Sequence, residues 1–430
     1  MNNDDDLRID GTVAPGFEPV RDLYEHNMRN LAERNTQLCV YYQGEKVVDL
    51  WGSATGDADF SPDSLVNVFS SGKTLETIAI ASLVSRGLLD YGALVTDYWP
   101  EFGGNSKGET TIADLMRHEG GMAAFDTSLK FEDLLPENIK QNAVGSLIEG
   151  HDQKFRADDD RREYHAMTRG WIVNEVFRRV DPAGRTIGEF LREEIGGPLG
   201  ADVNIGLREE ELQRRSAVAP LRTGFVLADS LKPKAMNRKM ERNFFQLART
   251  MIGLLPAMRG GTRRGAPVSL EGLESISSFN EPQMAIGETP SANAHCSARG
   301  LAKVAAMMAL GGKWGNEEFL SNEAWRALHH EPMEAGMGFG TTNFTQGGLG
   351  LFGNVTEASS RAHRALNAGR EGFYGWMGLG GSIFQWHPDH QIGFGYVPTS
   401  LNVLDFLNER GKGYQAEVLK CVVRTMPFSE

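Results

Sequence analysis

The chain has few cysteines: only Cys39, Cys296 and Cys421 among 430 residues. An odd, scattered set implies no disulfide framework, and buried free thiols are expected. Long apolar runs are also scarce. The longest strongly apolar stretch, Ile78 to Val84, is far short of the ~20 residues that span a bilayer, so no membrane helix and no membrane partner are expected. The N-terminus carries Asp4, Asp5 and Asp6 with no apolar run behind them, the opposite of a basic, hydrophobic secretory signal. A cytoplasmic location is the expectation. Positive charge is in deficit, with 44 Lys and Arg against 57 Asp and Glu and a net charge of −13. Nucleic acid is therefore excluded as an expected partner.

What the chain does have is one Ser-x-x-Lys, Ser70-Ser71-Gly72-Lys73, placed where a long apolar helix is expected to begin. Serine is inert at its free pKa. A lysine three residues on shares its helical face and is close enough to take its proton. At a helix start the Ser70 N–H belongs to the unpaired first turn, where the partial positive charge favours a developing oxyanion. Lys73, one turn in, is expected to meet apolar packing, which lowers a lysine pKa toward that of a usable base. The competing reading is an exposed helix start with a solvated lysine. Gly72-Lys73-Thr74 resembles the tail of a phosphate-binding loop, but that motif needs glycine where Asn67 stands. His118-Glu119 has Met122 where a zinc helix needs its second histidine.

Around the tetrad, Leu38 to Tyr42 and Lys46 to Trp51 read as a β-hairpin after a first helix, Glu18 to Glu33, and Leu65 to Phe69 as a short strand. Sheet signals return at Gly336 to Asn343, Ser382 to Trp386 and Ile392 to Val397, before a final helix, Tyr414 to Met426. Residues 96–290 are mostly helical in pattern, with Gly170 to Val180 and Ile187 to Ile195 as examples. The expected architecture is α/β: a discontinuous domain (1–95 and 291–430) with an antiparallel sheet flanked by helices, and an inserted, mostly helical domain (96–290) with a long insert near 222–290. A ligand site is expected in the cleft between them. Ala235 to Gly265 holds a basic cluster (Arg238, Lys239, Arg242, Arg249, Arg259, Arg263, Arg264), read first as a solvated face and second as a site for an anionic partner.

Several segments, in order, resemble the superfamily of class C β-lactamases and penicillin-binding proteins, and most closely its family VIII carboxylesterase branch. They are the tetrad; Ile112 to Met122, with His118 and Gly120-Gly121; Tyr164-His165-Ala166; Ser297 to Ala302; Trp376 to Ser382; and Gly393 to Tyr396. The resemblance implies the β-lactamase/transpeptidase-like fold, Ser70 as nucleophile, and Lys73 and Tyr164 as its bases. It also implies an oxyanion hole from the N–H groups of Ser70 and Leu379. Ala166 stands where β-lactamases carry an asparagine that holds the drug's amide. Trp376-Met377-Gly378 stands where they carry Lys-Thr-Gly.

Losing that lysine loses a charge-assisted contact worth ~1.5–3 kcal/mol to a substrate carboxylate. An uncharged guest, a small to medium-chain carboxylic ester, is therefore expected. His165, Trp376, Met377, Gly378, Met122 and Phe125 are the expected substrate-binding residues, and no metal or organic cofactor is called for. A β-lactam, an amide or D-amino-acid peptide, and acyl transfer are alternatives on the same fold. A non-catalytic binding or assembly protein is an alternative of another class.

Overall fold

The structure, a computed structural model, describes residues 6–154, 162–249, 252, 266–337 and 340–425. The chain begins with β1 (Arg8–Val13), α1 (Glu18–Asn30) and the hairpin β2 (Asn35–Tyr42) and β3 (Glu45–Ser53). The apolar helix α2 (Lys73–Ser85), α3 (Thr168–Val180), α4 (Thr223–Ser230) and α5 (Ala298–Ala309) follow. The remaining strands of the main sheet are β4 (Met333–Gly336), β5 (Thr341–Phe344), β6 (Gly350–Leu351), β7 (Tyr374–Met377), β8 (Ile383–His387) and β9 (Ile392–Pro398), and α6 (Glu409–Thr425) closes the fold.

These strands form one antiparallel sheet in the order β1-β3-β2-β9-β8-β7-β6-β5-β4. Its centre is the pairing of β2 with β9, with Leu38 opposite Tyr396 and Val40 opposite Phe394, so the two ends of the sequence are zipped together there. Alternation along β2 explains the layers. Leu38 and Val40 join α1 and α6 in one core, with Tyr24, Met28, Tyr414 and Val418. Cys39 points the other way, into the core that holds α2 and α5. Gly393 and Gly395 on β9 let α5 lie directly on the sheet, since a β-carbon on either would collide with the backbone of α5. The alanines of α5 complete that close approach. All three cysteines are buried and free.

Gly336 to Asn343 is not one strand but part of the hairpin β4–β5, with Ala335 opposite Thr342. β1 carried too weak a pattern to be read from sequence, because its residues are exposed or only half-buried. No described helix is long and apolar enough to cross a membrane.

Candidate active site

The tetrad is built as a tight turn followed by a helix. Phe69 to Gly72 form a single 3₁₀ turn, and the α-helix itself starts at Lys73. Asn67 Oδ1 accepts from the Phe69 N–H at 2.8 Å and so fixes the entry into the turn. Phe69 sits at φ +48, in the left-handed region that a bulky residue adopts only under strain. Its ring, buried edge-on against Phe279 at 5.2 Å between centroids, holds it there. Gly72 is required by packing, since a β-carbon would stand 2.7 Å from Ala294 Cβ and 3.0 Å from Pro290 O.

The result places Ser70, half-buried, beside a lysine that is only 2% exposed. Lys73 Nζ donates to Ala166 O at 2.6 Å and to Ser291 O at 2.8 Å, and lies 3.3 Å from Ser70 Oγ. Two carbonyls thus take two of its N–H bonds and orient the third tetrahedral position at the serine hydroxyl. As an ammonium it donates there; as an amine its lone pair can accept the hydroxyl proton. The Tyr164 ring lies 5.0 Å from the same nitrogen, and its phenol oxygen accepts from Trp376 Nε1 at 3.2 Å. Trp376 packs in turn on Phe344 at 4.8 Å, so an indole N–H on a rigid aromatic wall stands beside the phenol.

The turn between β7 and β8 is clamped to the serine turn. Ser382 Oγ donates to Val68 O at 2.7 Å and lies 3.0 Å from Ser71 Oγ. A β-carbon at Gly378 would collide with both Val68 O and Ser382 Oγ, which explains glycine at that position. Asn408 Nδ2 bonds the carbonyls of Gly378 and Ser382, both at 3.0 Å, and Arg410 Nη2 that of Gly380 at 2.9 Å. Gly380 and Gly381, at φ +81 and +140, turn the chain between β7 and β8. The N–H groups of Ser70 and Leu379 belong to the two turns that this clamp joins.

The structure buries His165, Met122 and Phe125. His165 is fully buried: its Nε2 accepts from the Met122 N–H at 3.0 Å, so Nδ1 carries the proton and donates to Glu163 O at 2.6 Å. Met122 is core, and Phe125 stacks on Trp171 at 6.0 Å. Met377 is buried too, with its sulfur 3.3 Å from Arg370 Nη1. These side chains have apolar or aromatic character, as expected of a wall, but packing uses it to support the loops. His118, also buried, accepts from the His165 N–H at 3.0 Å. Burial, then the charge of Arg169, holds its imidazole well below its usual pKa.

Sequence reasoning missed a fully buried ion pair under the site, Glu76 with Arg169 at 3.1 Å. Glu76 also accepts from Ser291 Oγ at 2.5 Å, and Arg169 donates to Lys73 O at 3.1 Å and to Met116 O at 2.9 Å. The pair therefore frames Lys73 from two sides. One signal was available: Glu76 is the sole acid in a helix whose residues are otherwise apolar or neutral apart from Lys73. A second serine pattern, Gly104-Asn105-Ser106-Lys107-Gly108, has the spacing of a nucleophile elbow. It lies in consecutive turns after a 3₁₀ segment, with no strand leading in, and Ser106 is exposed.

A serine hydroxyl facing a buried lysine, beside a tyrosine and a turn of a large antiparallel sheet, defines a serine hydrolase of the β-lactamase fold. The comparisons agree, for the Beta-lactamase family profile matches residues 20–413, and the chain belongs to that family. It is 29% identical over 403 residues to the esterase/β-lactamase LipL of Mycobacterium tuberculosis, covering 92% of this chain and 83% of that protein. A crystal structure of a family VIII carboxylesterase superposes with a TM-score of 0.73 at 25% identity, covering 96% of this chain and all of that one. A penicillin-binding-protein homologue from Caulobacter crescentus gives 0.72 at 23%, again over 96% of this chain and all of the other.

Proposed function

We propose that the chain is a carboxylesterase that cleaves small to medium-chain esters through an acyl-enzyme on Ser70. The observation that carries the reading is Lys73 Nζ held 3.3 Å from Ser70 Oγ by two backbone carbonyls, next to a tyrosine whose neighbour is a neutral indole N–H. Lys73, with Tyr164, takes the Ser70 proton as Oγ bonds to the ester carbonyl carbon. The oxyanion is met by the N–H groups of Ser70 and Leu379. Collapse breaks the bond to the alkoxide, which leaves with a proton relayed through Tyr164. A water deprotonated by the same groups then adds to the acyl carbon, and its collapse releases the acid and restores Ser70.

The ester preference rests on Trp376, which offers a substrate carboxylate no cation, and on the esterase names among the relatives. The test is burst kinetics with p-nitrophenyl esters of varied chain length beside a chromogenic cephalosporin. One acyl group per chain is expected in the burst, with none in Ser70→Ala and slower cephalosporin turnover. Ester turnover that survives in Ser70→Ala overturns the mechanism, and cephalosporin turnover faster than that of every ester overturns the substrate class.

A further inference from the structure

Helix α4 and the segment after it depart from the usual rule that a helix apolar on all sides is buried. Its inner face is already satisfied: Val226 joins Met240 and Leu247 against Ala32, Leu221 and Leu404. Phe225 and Leu227 on its other faces, and Leu231 just past its end, are exposed, and Met236 and Phe245 follow on the same segment. Leu231, Met236 and Phe245 are 64%, 69% and 82% exposed, against a cost that favours covering such side chains. Of the nine exposed large hydrophobics among the described residues, five fall between 225 and 245.

The same segment reverses the charge of the chain. Residues 222–249 hold seven Lys and Arg against two acids, Asp229 and Glu241, in a protein of net charge −13. Both acids are engaged inside the fold. Asp229 accepts from the N–H groups of Lys239 and Met240 and pairs with Lys232 at 2.7 Å, while Glu241 pairs with Arg410 at 3.1 Å. Arg222 and Lys234 are exposed and have no carboxylate partner among the described residues. Arg259, Arg263 and Arg264 of the basic cluster lie outside the described residues.

We propose that this segment, with Phe225, Leu231, Met236 and Phe245 as apolar anchors and Arg222 and Lys234 as cations, docks on an anionic lipid surface. Apolar side chains interspersed with long cationic stems are what an interfacial segment uses, and a bilayer surface asks for no matching groove. A second copy meeting this segment by two-fold symmetry would oppose one basic patch with another. The segment is tied to the β7–β8 turn across the fold: the Leu221 N–H bonds Leu401 O at 2.9 Å, and Leu401 packs on Gly380. Docking of this kind needs no spanning helix, so it revises the expectation of no membrane partner, and it stands independently of the esterase reading.

The experiment is co-sedimentation of the full chain with phosphatidylcholine vesicles, with and without phosphatidylglycerol, at low and high salt. Binding to the anionic vesicles that weakens with salt is expected. Arg222→Gln and Lys234→Gln should each weaken it about fivefold, and Leu231→Ser and Phe245→Ser about tenfold each. All four sites are exposed, so circular dichroism and turnover of a water-soluble ester should be unchanged. The proposal is overturned by absence of wild-type binding, by equal binding to neutral vesicles, or by binding that the four substitutions leave intact. Self-association that Phe245→Ser abolishes would assign the segment to a second copy and overturn it as well.

Discussion

Arg169→Met tests whether the buried ion pair holds Lys73 in place. Arg169 and Glu76 are both fully buried, and the arginine bonds Glu76, Lys73 O and Met116 O. Methionine fills much of the volume but leaves the Glu76 carboxylate with the Ser291 hydroxyl as its remaining named donor. Removing one partner of a buried pair typically costs about 3–5 kcal/mol, because the other charge is left uncompensated. For a chain of this length that corresponds to a fall in Tm of roughly 4 °C. Adding Glu76→Gln removes the orphaned charge, so the double variant should recover at least half of the loss. Thermal and urea unfolding of the four proteins of the cycle read this directly. The same variant releases the constraint on the Lys73 carbonyl, and kcat should fall by about 10 to 100-fold with KM nearly unchanged. The reasoning fails if Arg169→Met stays within about 1 kcal/mol of wild type, or if the double variant is no more stable than the single.

Three further outcomes follow from the same geometry. Trp376→Phe keeps the aromatic wall and deletes only the N–H donated to Tyr164; kcat should fall about 5 to 10-fold, and an unchanged kcat against p-nitrophenyl esters would remove the indole from the mechanism. Gly378→Ala drives a methyl into Val68 O and Ser382 Oγ and should shift the Leu379 N–H, lowering kcat by about 100-fold or more in a chain that still folds by circular dichroism. Burial pushes Glu288 from 4.5 to about 7 despite donors from Thr186, Asn174 and the Gly188 N–H. Unfolding therefore releases a proton from it across that window, so its contribution is whole below pH 4.5 and is lost as pH rises to about 7, by on the order of 3 kcal/mol. Glu288→Gln should flatten the fall in stability between pH 5 and 7; Glu241, also pushed to about 7 by burial, leaves part of it. An unaltered slope would refute the assignment.

The parts of the fold that sequence made legible are those whose pattern is local. The hairpin β2–β3 showed through β-rich runs around a short turn, and α2 through apolar residues all round. β1 was not legible because its residues are exposed or half-buried and their order comes from pairing with β3, with Asp10 opposite Trp51. The split of Gly336 to Asn343 into a hairpin escaped for a similar reason, since its strands are only four residues each. In the site, Ser70 and Lys73 were visible as a spacing. His165, Met122 and Phe125 were chosen by chemical type, and type does not say which way a side chain points. Glu76 and Arg169 are 93 positions apart and meet only in three dimensions.

The two departures from the β-lactamase pattern act on different parts of the site. At the second motif, Lys73 bonds the backbone carbonyl of Ala166, a contact that needs no particular side chain, so the loss of the asparagine leaves the lysine anchored. At the third motif, Trp376 supplies an N–H to Tyr164 where a lysine would supply both a hydrogen bond and a charge. Ser70, Lys73 and Tyr164, the proposed proton-transfer groups, are thus retained, while the cation that would attract a carboxylate is gone. A neutral guest loses nothing by that exchange, whereas an anionic one forfeits about 1.5–3 kcal/mol of charge-assisted binding. Selectivity in this site is therefore expected to follow substrate charge more than carbonyl reactivity. A neutral thioester or activated amide should be turned over ahead of an equally reactive anionic lactam, and the reverse order in matched kcat/KM measurements would contradict the argument.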